Sequence, residues 1–386
     1  MTSSVLSMPV SGIYSRTPWL VEEVPDLDDF LQRCQPLEQR RPAPFQHSSW
    51  LRSWYECLGR QAGTQPLLLA IRAEGDPTDA LLLPLVRQRQ GLMSVVSCAD
   101  AGITDYNAPL AREGLNLSAG DARALWTAIA QALRGNDLLR LDKLVAGPGA
   151  GTNAWLQMLS TQDSELFGNR FRVNEQYADW MTHLGKHARK EFERCWRVFQ
   201  RVPDARFVRA QTVEQGLQLL RQLAQLQHAR QAQTPGYFLD QPGYDGFYEH
   251  YLQAHLASGR CVLTALIAGD EMAAGLFGIF DGERYTMLRM AMGGESWKSC
   301  APGKLLLERS IHAMHEQGCR EFDFSIGDYT HKKAFRTTAL PLKETCVALS
   351  MRGRVPQAAW RLKRALKARP QAMALLRKLR GPTRGG

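Results

Sequence analysis

The chain has 386 residues, 44 % of them hydrophobic, which suits two ordinary domains with real cores and excludes wholesale disorder. Its net charge of +10 sits in one place: residues 351–386 hold eleven basic residues and no acidic one, leaving 37 basic and 38 acidic residues before them. That excludes a globule with basic residues spread over its folded surface for nucleic acid, and describes a nearly neutral body with a basic appendage. No apolar run reaches the roughly 18 residues of a membrane-spanning helix. The first residues lack the basic start and apolar stretch of a secretory signal, so a cytoplasmic protein is expected. The eight cysteines are never closer than 19 residues, so neither a disulfide framework nor a zinc site is expected, but reduced, buried thiols.

In chain order, 45–60 reads as a helix capped by Ser48 or Ser49, with Trp50, Trp54 and Leu58 on one face. The apolar runs 66–72 and 80–88 flank a Gly-Asp-Pro turn and predict a hairpin, which 92–98 continues. A helix follows at 121–133, a strand at 137–145, a short helix at 153–160 and a strand at 171–181. The second half opens with a helix at 185–200, a strand at 205–210 and a long amphipathic helix at 213–231. After a loop rich in Gly, Pro and Tyr come a helix at 247–257 and a three-strand meander over 260–268, 271–280 and 284–292. A helix at 305–317 ends at Gly318; a strand at 320–326, a helical turn at 329–335 and a strand at 344–351 finish the body. The two halves have nearly the same order of elements, so one α+β module is present twice, joined near 180–200.

That order resembles the GNAT acyltransferase fold, and as a pair it resembles the FemAB and CelD-like branch. The residues PFQHSSWLRSWYECLG (44–59) and ITDYNAPL (103–110) are similar to segments of CelD-like proteins. So is the block CAPGKLLLERSI…GCREFDFSIGDYTHKKAF (300–335), although His331 stands where that family usually has Tyr. The resemblance implies two tandem GNAT-like domains, each a mixed, mostly antiparallel sheet flanked by helices. These are 1–180 (degenerate) and 181–350 (acyltransferase), followed by a basic helical tail over 351–386. It further implies transfer of an acyl group to an amine from acetyl-CoA or another acyl-CoA, with polysaccharide or cell-envelope pathways as the setting of many CelD-like members. Some relatives use aminoacyl-tRNA instead, and a non-catalytic scaffold of the same shape is a third reading.

In a GNAT site the donor enters between the strands at 284–292 and 320–326. Backbone at Met290, Ala291 and Met292 is then expected to hold pantetheine, and an N–H there to polarise the thioester. Lys298, Pro302, Gly303 and Lys304 lead into a helix N-terminus suited to pyrophosphate. Asp323, in the middle of a strand, and His228, near the end of the long helix, are the expected catalytic residues, with Lys332 holding an anionic group. Tyr237, Asp328 and Arg189 are expected to contact the acceptor, a small-molecule or sugar amine. The segment 186–209 carries eight basic and three acidic residues, either a solvated helix face or one for a negatively charged acceptor, a nucleotide sugar or a tRNA. His183 with His187, and His312 with His315, have helical spacing, but Lys186, Arg189 and Lys190 around the first pair oppose a cation and the second has no carboxylate partner beyond Glu308 and Glu316, so no metal is expected. In the tail, Ala358, Ala359, Leu362, Ala365 and Leu366 share one side, mostly opposite Arg361, Lys363, Arg364 and Lys367. Leu375, Leu376 and Leu379 repeat the pattern, which suits the inner face of a membrane or an acidic partner such as a carrier protein.

Overall fold

A computed structural model describes residues 18–38, 44–146, 153–231, 243–327 and 335–367. Lys332, Tyr237, Asp328, His331, most of the turn expected at 329–335 and the leucine repeat at 375–379 lie outside the described residues.

The first half runs β1 (Trp19–Glu23), α1 (Leu27–Glu38), a 3₁₀ turn at Pro44–Gln46, α2 (Ser48–Cys57), β2 (Thr64–Ala73), β3 (Leu81–Gln90) and β4 (Met93–Cys98). It continues through β5 (Leu110–Ala111), α3 (Ala119–Ala132), β6 (Leu138–Val145), α4 (Ala154–Met158) and β7 (Gln162–Arg172). The second half runs α5 (Tyr177–His183), α6 (Lys186–Phe199), β8 (Arg206–Arg209), α7 (Val213–Gln231), α8 (Tyr244–His255), β9 (Cys261–Ala268), β10 (Glu271–Phe280) and β11 (Arg284–Met292). A 3₁₀ turn at Glu295–Cys300 leads to α9 (Pro302–Glu316), β12 (Glu321–Ile326), β13 (Thr338–Ala348) and α10 (Arg354–Lys367).

Several expectations are corrected. The strand expected at 171–181 is the end of β7 followed by α5: Tyr177, Trp180, Met181 and Leu184 have helical spacing and turn into one core with Phe171. The cap of α2 is His47, whose Nδ1 accepts from the Ser49 N–H at 3.1 Å, not Ser48 or Ser49. β1 and α1 precede the first segment read as structured, and β13 begins six residues before the expected 344.

The strands join into one mixed sheet in the order β1-β2-β3-β4-β6-β13-β7-β12-β11-β10-β9-β8, with β5 beside β3. The two halves are interlocked. β7, the last strand of the first half, pairs with β12 of the second, while β13, from the end of the second half, pairs with β6 of the first. β7 and β13 pair with each other in the middle. Each half also contains one parallel pair, and each is short. β4 meets β6 over three pairs, Val95–Leu138 to Ser97–Arg140. β11 meets β12 over three pairs, Arg284–Glu321 to Thr286–Asp323. Beyond those pairs the strands part, so the sheet has two splits, one per half.

Helices cover both faces. Leu125 and Ile129 of α3, and Leu133 at its C-terminal cap, pack with Trp155 on the first half's Leu and Val strands. In the second half α9 buries Leu305, Leu306, Ile311 and Met314 with Phe322 and Phe324 of β12, beside α5 and α6. Residues of α1, α2, α7 and α8 make one shared core on the opposite face, with Trp50 against Phe247 and Tyr251 at ring-centroid distances of 4.9 and 5.4 Å.

Candidate active site at the seam between the halves

The loop after β4 carries Asp105, Tyr106 and Asn107. Asn107 fixes it to β6: its N–H donates to the Lys143 carbonyl at 2.8 Å, and its Nδ2 to the Asp142 carbonyl at 2.8 Å and to Asp100 Oδ2 at 2.9 Å. Tyr106 is thereby aimed across β7. It passes over Gly168, where a Cβ would lie 2.3 Å from the Tyr106 Oη. The hydroxyl then donates to Asp323 Oδ1 of β12 at 2.6 Å. Two sequence motifs more than 200 residues apart meet in this bond.

Asp323 is fully buried on the face of β12 opposite Phe322 and Phe324, as the period-two pattern implies. Such a charge is tolerated because it is paired and hydrogen-bonded. Arg170 of β7 donates from Nε to Oδ2 at 2.6 Å, and the Ser325 N–H donates to Oδ1 at 2.7 Å. The Arg170 guanidinium also sits 5.2 Å from the centre of the Tyr106 ring. Burial and then Asp323 push the Tyr106 hydroxyl well above the ordinary tyrosine range, so it is a fixed donor.

Beyond Asp323 the strand bulges. Its register to β7 shifts between Asp323 and Ile326, and Ser325 has φ 61°, a strained value for serine. The Ser325 hydroxyl is thereby turned to donate to Asp105 Oδ2. Burial pushes the Asp105 carboxyl up to about 6, against the pull of Lys143 and of Ser325. Lys143, with φ 56°, is the corresponding strained residue of β6. Its Nζ lies 2.7 Å from Asp100 Oδ1 and also donates to the Thr104 carbonyl. Burial opposes its charge, but Asp100, Asp105 and Asp142 outweigh this and hold it raised.

Next to this cluster a cavity of about 430 Å³ opens where β4 leaves β6. Asp100, Asn107, Asp142 and Lys143 line it from the first half, Ile326 from β12 and Glu344 from β13. Burial raises the Asp142 carboxyl, and its Oδ1 is buried without a hydrogen-bond partner among the described residues.

The second split is a slot of another kind. From residue 287 onward no strand pairs with the β12-facing edge of β11 among the described residues, so the backbone of Met290, Ala291 and Met292 borders the opening. α9 starts at its mouth. Ala301, at φ 46°, turns the chain, Pro302 takes the first helical position, and Gly303 is pressed so close that a Cβ would lie 2.4 Å from the Met292 Sδ. A side chain at 303 would have to displace the Met292 side chain. Lys298 is exposed and lies 2.5 Å from Glu295, while the Lys304 Nζ sits 5.1 Å from the Phe192 ring centre of α6. Arg189 is exposed on α6, whose Arg194 donates to the Ser299 carbonyl at 3.2 Å and ties that basic helix to the turn before α9.

His228 lies in neither group. It lines a 270 Å³ cavity between α7 and α8 with Arg221, Asp245 and Glu249, its Nε2 3.5 Å from Asp245 Oδ2. Behind it Arg289 is buried on β11, donating twice to Gln227 Oε1 at 2.9 and 2.7 Å above the Tyr248 ring. The seam residues Asp105, Tyr106, Arg170 and Ser325 were not singled out from the sequence. The TDY and DFS motifs marked three of them; Arg170 carried no signal. Among the described residues no group of His, Cys, Asp and Glu is placed to hold a metal ion.

Residues 186–333 match the family model described as acetyltransferase (GNAT) domain. The match lies within the second half, which is thus similar to a GNAT domain. The chain as a whole has the tandem GNAT-like fold, as solved structures show. FemX aligns with 88 % of this chain and 99 % of its own at TM-score 0.57 and 10 % identity. A tandem GNAT protein from the clavulanic acid biosynthesis pathway aligns with 86 % and 99 % at TM-score 0.51 and 12 % identity. L-PGS from Bacillus licheniformis aligns with 90 % and 98 % at TM-score 0.51 and 14 % identity. No curated protein shows significant sequence similarity. The GNAT-like domain's parallel pair, β11 and β12, is thus the split of an acyltransferase-type fold, and the first half repeats the same device with β4 and β6.

Proposed function

We propose that the protein is an N-acyltransferase that takes its acyl group from a CoA thioester bound in the β11/β12 split. The observation that carries this reading is the open edge of β11 ending at the N-terminus of α9. An extended pantetheine arm adds to such an edge as a strand would, and the diphosphate meets the free N–H groups of α9 with Lys298 and Lys304 nearby. A backbone N–H of residues 290–292 polarises the thioester carbonyl.

The acceptor amine approaches from the cavity at the first split, where Arg140 and Lys143 pair with Asp142 and Asp100 but the Asp142 Oδ1, without a hydrogen-bond partner among the described residues, suits an ammonium before it is deprotonated. The amine nitrogen attacks the thioester carbon, its proton passes to a base, and the thiolate leaves as the amide forms. Asp323 is fully buried and already accepts from Tyr106, Arg170 and the Ser325 N–H, so we assign it to holding Tyr106 and Ser325 in place. The base we assign is Asp105, whose raised carboxyl is ionised at neutral pH yet basic enough to take a proton. On this reading residues 181–350 bind the donor and residues 1–180 shape the acceptor site. The resemblance to CelD-like proteins favours an amino-sugar acceptor in polysaccharide or envelope chemistry, with acetyl as the transferred group.

A second reading, an aminoacyl-tRNA donor, is favoured by the exposed basic face of α6 and by the overall likeness to FemX. Thermal unfolding with acetyl-CoA and longer acyl-CoAs tests the first. A saturable rise in the midpoint is expected, and its loss in Lys298→Glu/Lys304→Glu. No rise with any acyl-CoA overturns the CoA reading, and salt-sensitive retention of tRNA then supports the second.

A further inference from the structure

α10 is an amphipathic helix mounted the wrong way round for a helix that only stabilises its own domain. Its inward side is the polar and aromatic one. Trp360 packs against Val95, Leu138 and Cys346. Gln357 Nε2 donates to the Cys346 carbonyl at 2.9 Å. Arg364 reaches Glu165 Oε1 at 3.3 Å and also pairs with Glu344. These three residues lie on one side of the helical wheel. The other side carries Val355, Ala358, Ala359, Leu362 and Ala365, all exposed, and the half-buried Leu366. Val355 is 76 % and Leu362 62 % accessible, and Met351, just before the helix, is 70 % accessible. Exposed Arg354 and Arg361 border this apolar stripe on one side and exposed Lys363 on the other.

An apolar stripe turned away from the body and flanked on both sides by cations has one physical complement. It is a surface that is apolar inside and anionic at its rim. Val355 and Leu362 enter the acyl region, while the arginine and lysine stems lie along it with their charges at the phosphates. A purely acidic protein surface would use the cations and leave the stripe wet. The charge of the chain agrees, since the eleven basic residues of 351–386 have no acidic residue among them.

We propose that α10 is a docking helix for an anionic lipid bilayer, held at a fixed orientation on the sheet by Trp360, Gln357 and Arg364. The proposal does not depend on the acyl donor. It does place the bilayer close to the first-split cavity, because Glu344, which pairs with Arg364, lines that cavity.

The test is flotation of the full chain with vesicles of phosphatidylcholine alone or with about 30 % phosphatidylglycerol. Binding is expected to the anionic vesicles only, falling as salt rises from about 0.05 to 0.5 M. Val355→Ser/Leu362→Ser leaves the charge unchanged and alters only exposed side chains. It should weaken binding about tenfold or more with the thermal midpoint unchanged. Wild-type-like binding by that variant overturns the proposal, because attraction would then come from charge alone. So does equal binding to neutral vesicles. Retention on a polyglutamate matrix without vesicle binding also overturns it and assigns the face to an acidic polypeptide.

Discussion

Adding one methyl group at Gly168 tests whether the seam between the halves is as tight as described. The new Cβ would lie 2.3 Å from Tyr106 Oη, 2.9 Å from Cζ and 3.0 Å from Cε1. The ring has little room to yield: Phe45 meets it at 5.7 Å, Arg170 covers it, and Asp323 holds its hydroxyl. To reach ordinary contact the phenol must withdraw by about 1 Å, which breaks the 2.6 Å bond to Asp323. Overpacking a filled interior costs about 1–3 kcal/mol. A lost hydrogen bond to a buried charge costs a further 1.5–3 kcal/mol or so. Gly168→Ala should therefore destabilise the protein by about 3–5 kcal/mol, read from guanidinium chloride unfolding. Tyr106→Phe removes the atom that clashes worst. The double variant should accordingly be at least about 1 kcal/mol more stable than the two single costs added together predict. A Gly168→Ala protein with the wild-type midpoint, or strict additivity with Tyr106→Phe, would refute this account of the seam.

Asp105 links stability to pH. Its carboxyl is raised from 3.8 to about 6 by burial, so the folded protein holds that proton more tightly than the unfolded chain. The ionised group then weakens the fold as pH climbs from about 4 to about 6 and stays unfavourable above that. Asp105→Asn should gain up to about 3 kcal/mol on the wild type between about pH 4.5 and 7.5 in urea unfolding, while losing acyl transfer. Lys143→Met should cost about 3–5 kcal/mol by stranding Asp100, and Asp100→Asn in the same chain should restore much of it. All eight thiols are raised by burial, and Cys57 alone is not fully buried. Mass spectrometry after iodoacetamide treatment at neutral pH should find at most one label per native chain, on Cys57, and all eight after unfolding.

The meander of β9 to β11 was legible because continuous apolar runs are cut by short turns, and α7 because leucines recur through a long run of helix-forming residues without a proline. β7 was not. Its faces are occupied by the Tyr106 ring over Gly168 and by the Arg170 ion pair, so QDSELFGNRFR shows no apolar alternation. Its partners β12 and β13 lie about 150 residues or more away, so pairing rather than local pattern makes it a strand. The early part of β13 was hidden by Pro341, beside which the register to β7 shifts. At the site, the TDY and DFS motifs were visible as motifs, but their meeting depends on the exchanged strand between them. Asp323 stands out because a carboxylate in a strand needs a partner; Tyr106 is marked only as part of its motif, with nothing local to name Asp323 as its partner, and Arg170 carries no signal at all.

The exchange of last strands also bears on how the chain is made. Synthesis is vectorial, and β13 leaves the ribosome well after β6, yet it is the neighbour that β6 in the first half requires. Until it arrives, β6 and β7 each present a bare edge, and both are rich targets for the wrong strand. The first half therefore waits, unfinished, until the strands of the second half have been made. Its completion rests on contacts spanning some 200 residues, which makes a slow final zippering step and a need for protection of those edges a built-in property of this architecture.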